Sequence, residues 1–227
     1  METRLFPGLV LLPLLLFAVV VGNSGCEQVA KAPATESAFV LPEAAAISDF
    51  NLTHQDLGVF DIDNARGKWS LLFFGYTHCP DVCPTELFML AEMMRALEQN
   101  PDALNQSPQV VFVSVDPERD SLQQLQRYAA FYHQSFLGVT SEQATIDRLC
   151  ESLGVFYERV YYQDGKALDL DPAAALSAGL ADSYLINHSA SIFLVNPEGK
   201  LHAVFAPPHD PQTIIRDLAA IQAGWSS

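Results

Sequence analysis

The sequence predicts an α/β fold, a central mixed sheet flanked by helices, and three observations predict it. Continuous apolar runs at residues 69–76 and 110–115 have the length and content of strands buried on both faces. Each run leads through a loop into apolar residues at helical spacing, which makes two successive strand-to-helix units. Near the C-terminus a strand, a Pro-Glu-Gly-Lys turn and a second strand precede a last helical segment.

The 227 residues allow one sizeable domain plus a targeting segment. Hydrophobic residues at 49% and charged residues at 17% permit a buried core and argue against wholesale disorder. A net charge of -15 repels nucleic acid and anionic lipid surfaces, and leaves cations or a positively charged protein patch as electrostatic partners.

Residues 1–26 read as an export signal or anchor: Arg4 precedes an apolar run from Leu5 to Val21, broken only by Gly8 and two prolines. The run is near the lower limit of about 17 residues for a span, and Pro7 and Pro13 weaken it as a helix. Small residues just before Cys26 resemble the lipobox of bacterial lipoproteins, although Asn23 stands where that motif usually has Leu. Lipidation at Cys26, an uncleaved anchor and an ordinary cleaved signal stay open, and each puts the domain outside the cytoplasm. Residues 27–46 are small, polar and proline-containing, and read as a flexible tether.

The folded domain is expected from 47 to 227. Asp-Phe-Asn-Leu-Thr and Gly-Val-Phe-Asp-Ile read as short strands leading into the buried strand at 69–76. A helix follows from Thr85 to Gln99, with Leu87, Leu90, Met94 and Leu97 on one face. The strand at 110–115 ends in Asp-Pro-Glu-Arg-Asp-Ser before a helix carrying Leu122, Leu125, Tyr128 and Ala129. Phe-Leu-Gly-Val-Thr makes a short strand, and a helix through Ile146, Leu149, Cys150 and Leu153 follows. The alternating Val-Phe-Tyr-Glu-Arg-Val-Tyr-Tyr predicts an inserted β-hairpin arm. The closing hairpin, 191–205, is followed by a helix over 211–223. This order describes a thioredoxin-like sandwich, which alone does not identify a function.

The chemistry lies at Cys79 and Cys83, where a central strand ends and a helix begins. Backbone N–H groups and the helix dipole there favour thiolate, so one or both cysteines are expected to ionise more readily than free cysteine with its pKa of about 8.5. Three residues separate the cysteines, so the sulfurs can bridge as a redox-active disulfide or share a soft metal. Two thiolates leave such a metal short of ligands, and an imidazole from elsewhere would complete it. A purely structural disulfide gains little from so short a loop.

The segment Phe-Gly-Tyr-Thr-His-Cys-Pro-Asp-Val-Cys-Pro-Thr-Glu-Leu resembles the copper-binding loop of the Sco/SenC family. Val-Asp-Pro-Glu-Arg-Asp-Ser and Ile-Asn-His-Ser-Ala-Ser-Ile-Phe-Leu-Val-Asn resemble two further segments of that family, in the same order. The resemblance implies a thioredoxin-like fold holding one copper ion, Cu(I) or Cu(II), on Cys79, Cys83 and His188. It also implies a metallochaperone that assists maturation of the dinuclear copper centre of cytochrome c oxidase. The partners so implied are the copper-receiving oxidase subunit, other periplasmic copper carriers and thiol reductants, and the place is the inner membrane with the domain facing the periplasm. Thioredoxins carry a cis-proline where this sequence has His188, Ser189 and Ala190, a departure that favours metal. The alternative is a periplasmic thiol-disulfide oxidoreductase acting through the same cysteines, so enzyme activity stays open.

Asp116 and Asp120 match the family's paired aspartates, as groups that orient the site or meet a partner, against a plain turn and helix cap around Pro117. His78 reads as solvent-facing and Cys150 as a buried, inert thiol. His54, His133, His202 and His209 read as surface or packing residues. The stretch from Lys166 to Asp182 is expected to be mobile and to let His188 swing.

Overall fold

A computed structural model describes residues 33–168 and 183–225. The strands are β1 (Ala38–Ala46), β2 (Asn51–His54), β3 (Gly58–Asp61), β4 (Ser70–Gly75), β5 (Gln109–Ser114) and β6 (Leu137–Thr140). They continue with β7 (Tyr157–Gln163), β8 (Lys166–Ala167), β9 (Tyr184–His188), β10 (Ile192–Val195) and β11 (Lys200–Phe205). The helices are α1 (Ile62–Ala65), α2 (Val82–Gln99), α3 (Leu122–Tyr132), α4 (Gln143–Leu153) and α5 (Pro211–Gly224).

Eight strands form one sheet in the order β1-β11-β10-β4-β5-β6-β2-β3. Parallel pairing joins β4 to β5 and β5 to β6, and the other neighbours are antiparallel, so the sheet is mixed as expected. Every residue of β4 and β10 is buried, which is why both read as unbroken apolar runs rather than alternating ones. The helices flank this thioredoxin-like sheet, and α2 packs against α3 and α5.

The β10–β11 turn is set by Asn196, whose side-chain oxygen accepts the N–H of Glu198 and of Lys200, each at 3.0 Å. Gly199 takes a φ of +80°, and a Cβ there would meet Ile62 at 2.8 Å, so the turn needs glycine twice over. The hairpin arm is a second sheet in the order β8-β7-β9, with Tyr157 opposite His188.

The expected tether over 27–46 is corrected by β1, which pairs with β11 from Ala38–Phe205 to Ala46–Lys200. The ordered domain therefore begins before Ile47. Pro42 and a register shift between Val40 and Ala45 break the alternation, which is why the segment lacks a strand's period. Its entry is held by Asp217 of α5, whose carboxylate accepts the N–H groups of Glu36, Ser37 and Ala38 and the Ser37 hydroxyl at 2.7–2.8 Å. Residues 1–26, Cys26 included, and most of the stretch expected to be mobile lie outside the described residues. No helix among the described residues is long and apolar enough to cross a membrane.

Candidate metal centre

The site begins where β4 stops. The N–H of Cys79 donates to the carbonyl of Tyr76 at 3.3 Å, turning the loop back so that Cys79 is half-buried. Helix α2 starts at Val82, three residues earlier than the apolar period indicates, and carries the fully buried Cys83 in its first turn. Gly75 makes room for it: a Cβ on Gly75 would lie 2.5 Å from the Cys83 sulfur and 2.9 Å from Phe112.

His188 closes the site from the end of β9. Its Nε2 lies 3.2 Å from the Cys83 sulfur, and the ligand atoms of Cys79, Cys83 and His188 all lie within 4.8 Å of one another. The Nδ1 of His188 sits 3.0 Å from the carbonyl oxygen of Ser189. A carbonyl can only accept, so in the neutral ring Nδ1 carries the proton and Nε2 presents its lone pair to the sulfurs. Phe73 and Tyr76 meet the imidazole edge-on, each ring centroid 6.1 Å away.

The two cysteines divide one proton between unlike settings. The Cys83 thiol donates to Cys79 and holds it well below the usual thiol range; burial opposes this, while the N–H groups of Asp81 and Cys83 assist. Burial drives Cys83 the other way, and the Cys79 charge adds to that rise. The opposite shifts favour the thiolate on the more accessible Cys79 and the thiol on buried Cys83, and a metal held on both sulfurs would displace the Cys83 proton. Two sulfurs and one imidazole nitrogen are a donor set for a soft cation.

Asp120 and Asp116, both buried, support this geometry from outside the cluster. Asp120 accepts the N–H of Thr77 at 2.9 Å, the Thr77 hydroxyl at 2.6 Å and the Ser114 hydroxyl at 2.6 Å, tying the cysteine loop to the end of β5. Asp116 accepts the Tyr184 hydroxyl at 2.6 Å and the Arg119 Nε at 2.5 Å. Both carboxylates converge with His78, yet their oxygens already serve these donors, so that cluster reads as scaffolding. Neither aspartate caps α3; Ser121 does, accepting from the N–H of Gln124 at 3.3 Å.

Gly75, Tyr76 and Arg119 lie inside the segments that the sequence singled out, but neither their roles nor that of Tyr184 could be read there. Tyr76 is buried at the strand end, and its oxygen accepts the N–H of Ile186 at 3.0 Å. Burial pushes its hydroxyl up to about 12. The available signal was position: Gly75 and Tyr76 close the buried run, and Arg119 stands between the two aspartates.

His78 is half-exposed and faces Thr77. Cys150 is buried on α4, and burial pushes its thiol up to about 12. His54, His133 and His209 are buried packing residues, and His202 lies edge-on between Trp69 and Trp225.

The family model described as SCO1/SenC matches residues 40–223. A mitochondrial SCO1 homologue of Arabidopsis thaliana is 33% identical over 172 residues, covering 76% of this chain and 46% of that protein, so the chain spans about half of that relative. The crystal structure of Arabidopsis thaliana ScoI with copper bound superimposes with a TM-score of 0.67 at 29% identity, covering 80% of this chain and all of that one. Bradyrhizobium japonicum ScoI with copper bound gives a TM-score of 0.60 at 31% identity, covering 77% of this chain and 98% of that one. The family match begins at Val40, inside β1, and so includes the strand that the sequence pattern hid. With its fold, its three motifs and the length of this match, the chain belongs to the SCO1/SenC family.

Proposed function

We propose that this chain is a copper metallochaperone, holding one copper ion on Cys79, Cys83 and His188 and passing it to the copper-receiving subunit of cytochrome c oxidase. The observation that carries the reading is the convergence of the two sulfurs and the His188 Nε2 lone pair within 4.8 Å. Copper bound to two relatives of this fold supports the choice of metal, since thiolate and imidazole together accept both of its oxidation states. The N-terminal residues would anchor the domain at the inner membrane, facing the periplasm. Cys79 is the ligand that a partner can reach, because Cys83 is fully buried. Transfer then proceeds by exchange of sulfur ligands, beginning at Cys79.

A second reading is favoured by the depressed pKa of Cys79. The Cys79 thiolate attacks one sulfur of a partner disulfide, forming a mixed disulfide and releasing one partner thiolate. Cys83 loses its proton and attacks the Cys79 sulfur, which closes the Cys79–Cys83 disulfide and releases the second partner thiol. Two electrons pass to the partner, and the same pair so prepares the receiving cysteines.

The two activities separate at His188. In His188→Ala, copper retention against a chelator and metal transfer to the soluble copper domain of an oxidase subunit are expected to fall sharply. Reduction of that domain's disulfide should stay within a few-fold of the original. Undiminished copper transfer by His188→Ala overturns the three-ligand reading.

A further inference from the structure

We propose that Arg119 is a positioning residue for His188, acting through β9 rather than touching the metal. The inference rests on the three-ligand reading above.

His188 is the last residue of β9, and three contacts from one side of that strand fix its register. Arg119 Nη1 donates to the carbonyl of Tyr184 at 3.0 Å, Tyr76 accepts the N–H of Ile186, and Tyr76 and Phe73 meet the His188 ring. Residues 183 and 189 bond to the β7 side, so the Tyr184 carbonyl and the Ile186 N–H both point to the opposite edge of the strand, where Arg119 and Tyr76 meet them. The Arg119 contact is the one furthest from the metal ligands, and it is a closed clamp. Arg119 Nε is held by Asp116 at 2.5 Å, Tyr184 returns its hydroxyl to Asp116, and the guanidinium lies 3.5 Å over the Tyr184 ring. Arg159 lies over the same ring at 4.9 Å.

The clamp is also joined to the cysteine side. The Arg119 guanidinium is 5.6 Å from the ring centroid of Tyr76, the residue whose carbonyl turns the Cys79 loop. Asp116 and Asp120 bracket Arg119 on the loop after β5, so one loop holds both halves of the site: Asp120 through Thr77, and Asp116 with Arg119 through Tyr184. Only a planar guanidinium can donate to a carboxylate and a carbonyl while stacking on a phenol. Its Nη2 is buried without an acceptor among the described residues, a concession that holding β9 in register explains.

The test uses the reduced full chain loaded with Cu(I) and challenged with a competing chelator. Arg119→Lys keeps the charge but loses the fork, and retention should weaken by about 10–100-fold, the usual effect of losing an outer-shell partner. In a His188→Ala background the same change should add nothing, because the residue that it positions is gone. Asp217→Asn, a destabilising change at the β1 entry, should leave retention unaltered. If Arg119→Lys fails to fold, Tyr184→Phe removes one bond of the clamp, and its smaller loss should likewise vanish without His188. Retention that does not depend on His188 in the unmodified protein overturns the three-ligand reading itself. Retention that needs His188 but tolerates Arg119→Lys, or losses that add in the double variant, overturns this inference alone.

Discussion

Tyr76 accepts the backbone N–H of Ile186 at 3.0 Å, so the residue that opens the cysteine loop also holds the strand that ends in His188. Tyr76→Phe keeps the ring and leaves that buried N–H unpaired, which costs about 1–3 kcal/mol. For a chain of this size the apo melting temperature should drop by roughly 2–4 °C per kcal/mol, and copper should leave faster. An unchanged melting temperature and release rate would show that the bond holds nothing.

Gly75→Ala places a methyl group 2.5 Å from the Cys83 sulfur. The crowded sulfur has to move, and overpacking of this kind costs about 1–3 kcal/mol. Competitive copper titration should show weaker retention than in a surface variant of equal stability loss. Equal retention in the two would mean that the sulfur has room that the packing does not show.

Asp120→Asn removes a charged acceptor serving two groups of Thr77 and the Ser114 hydroxyl. Hydrogen bonds to a charged group are worth about 1.5–3 kcal/mol, so the cysteine loop should loosen. Amide exchange read by NMR should speed at Thr77 while β5 keeps its protection. Undisturbed exchange at Thr77 would leave Asp120 without the tethering role.

The β1 clasp gives the chain an acid-sensitive edge. Burial opposes ionisation of Asp217, but the N–H groups of Glu36, Ser37 and Ala38 and the Ser37 hydroxyl outweigh it and hold the carboxyl below its ordinary 3.8. A carboxyl depressed by folding stabilises the fold above its unfolded pKa, and that contribution is lost as pH falls through the folded value. Denaturant midpoints measured from neutral pH down through about pH 4 and below should fall for the unmodified chain. Asp217→Asn should be less stable at neutral pH and should lack this part of the acid loss. Parallel curves for the two proteins would remove the clasp from the account.

Much of the architecture was legible because buried strands and amphipathic helices leave different periods. The runs that became β4, β5 and β10 are buried at nearly every position, and no other element fits them. Edge strand β1 escaped because Pro42 and a bulge interrupt it and its neighbour lies some 160 residues away in sequence. The cysteines were legible from local chemistry at a strand end, whereas His188 sits 105 residues beyond Cys83 and needed the family resemblance. Tyr76 and Arg119 lie inside two of the quoted segments and Tyr184 in none, yet no role for any of them could be read from the sequence, since their roles are bonds between segments that only the folded chain brings together.

The most direct test of the central claim is an anaerobic copper titration of the reduced full chain under chelator competition, with Cys79→Ala, Cys83→Ala and His188→Ala in parallel. The account predicts one tightly held equivalent, lost with either cysteine and markedly weakened without His188. After oxidation to Cu(II), thiolate-to-copper absorption should disappear with the cysteines. One equivalent retained after loss of both cysteines would contradict it.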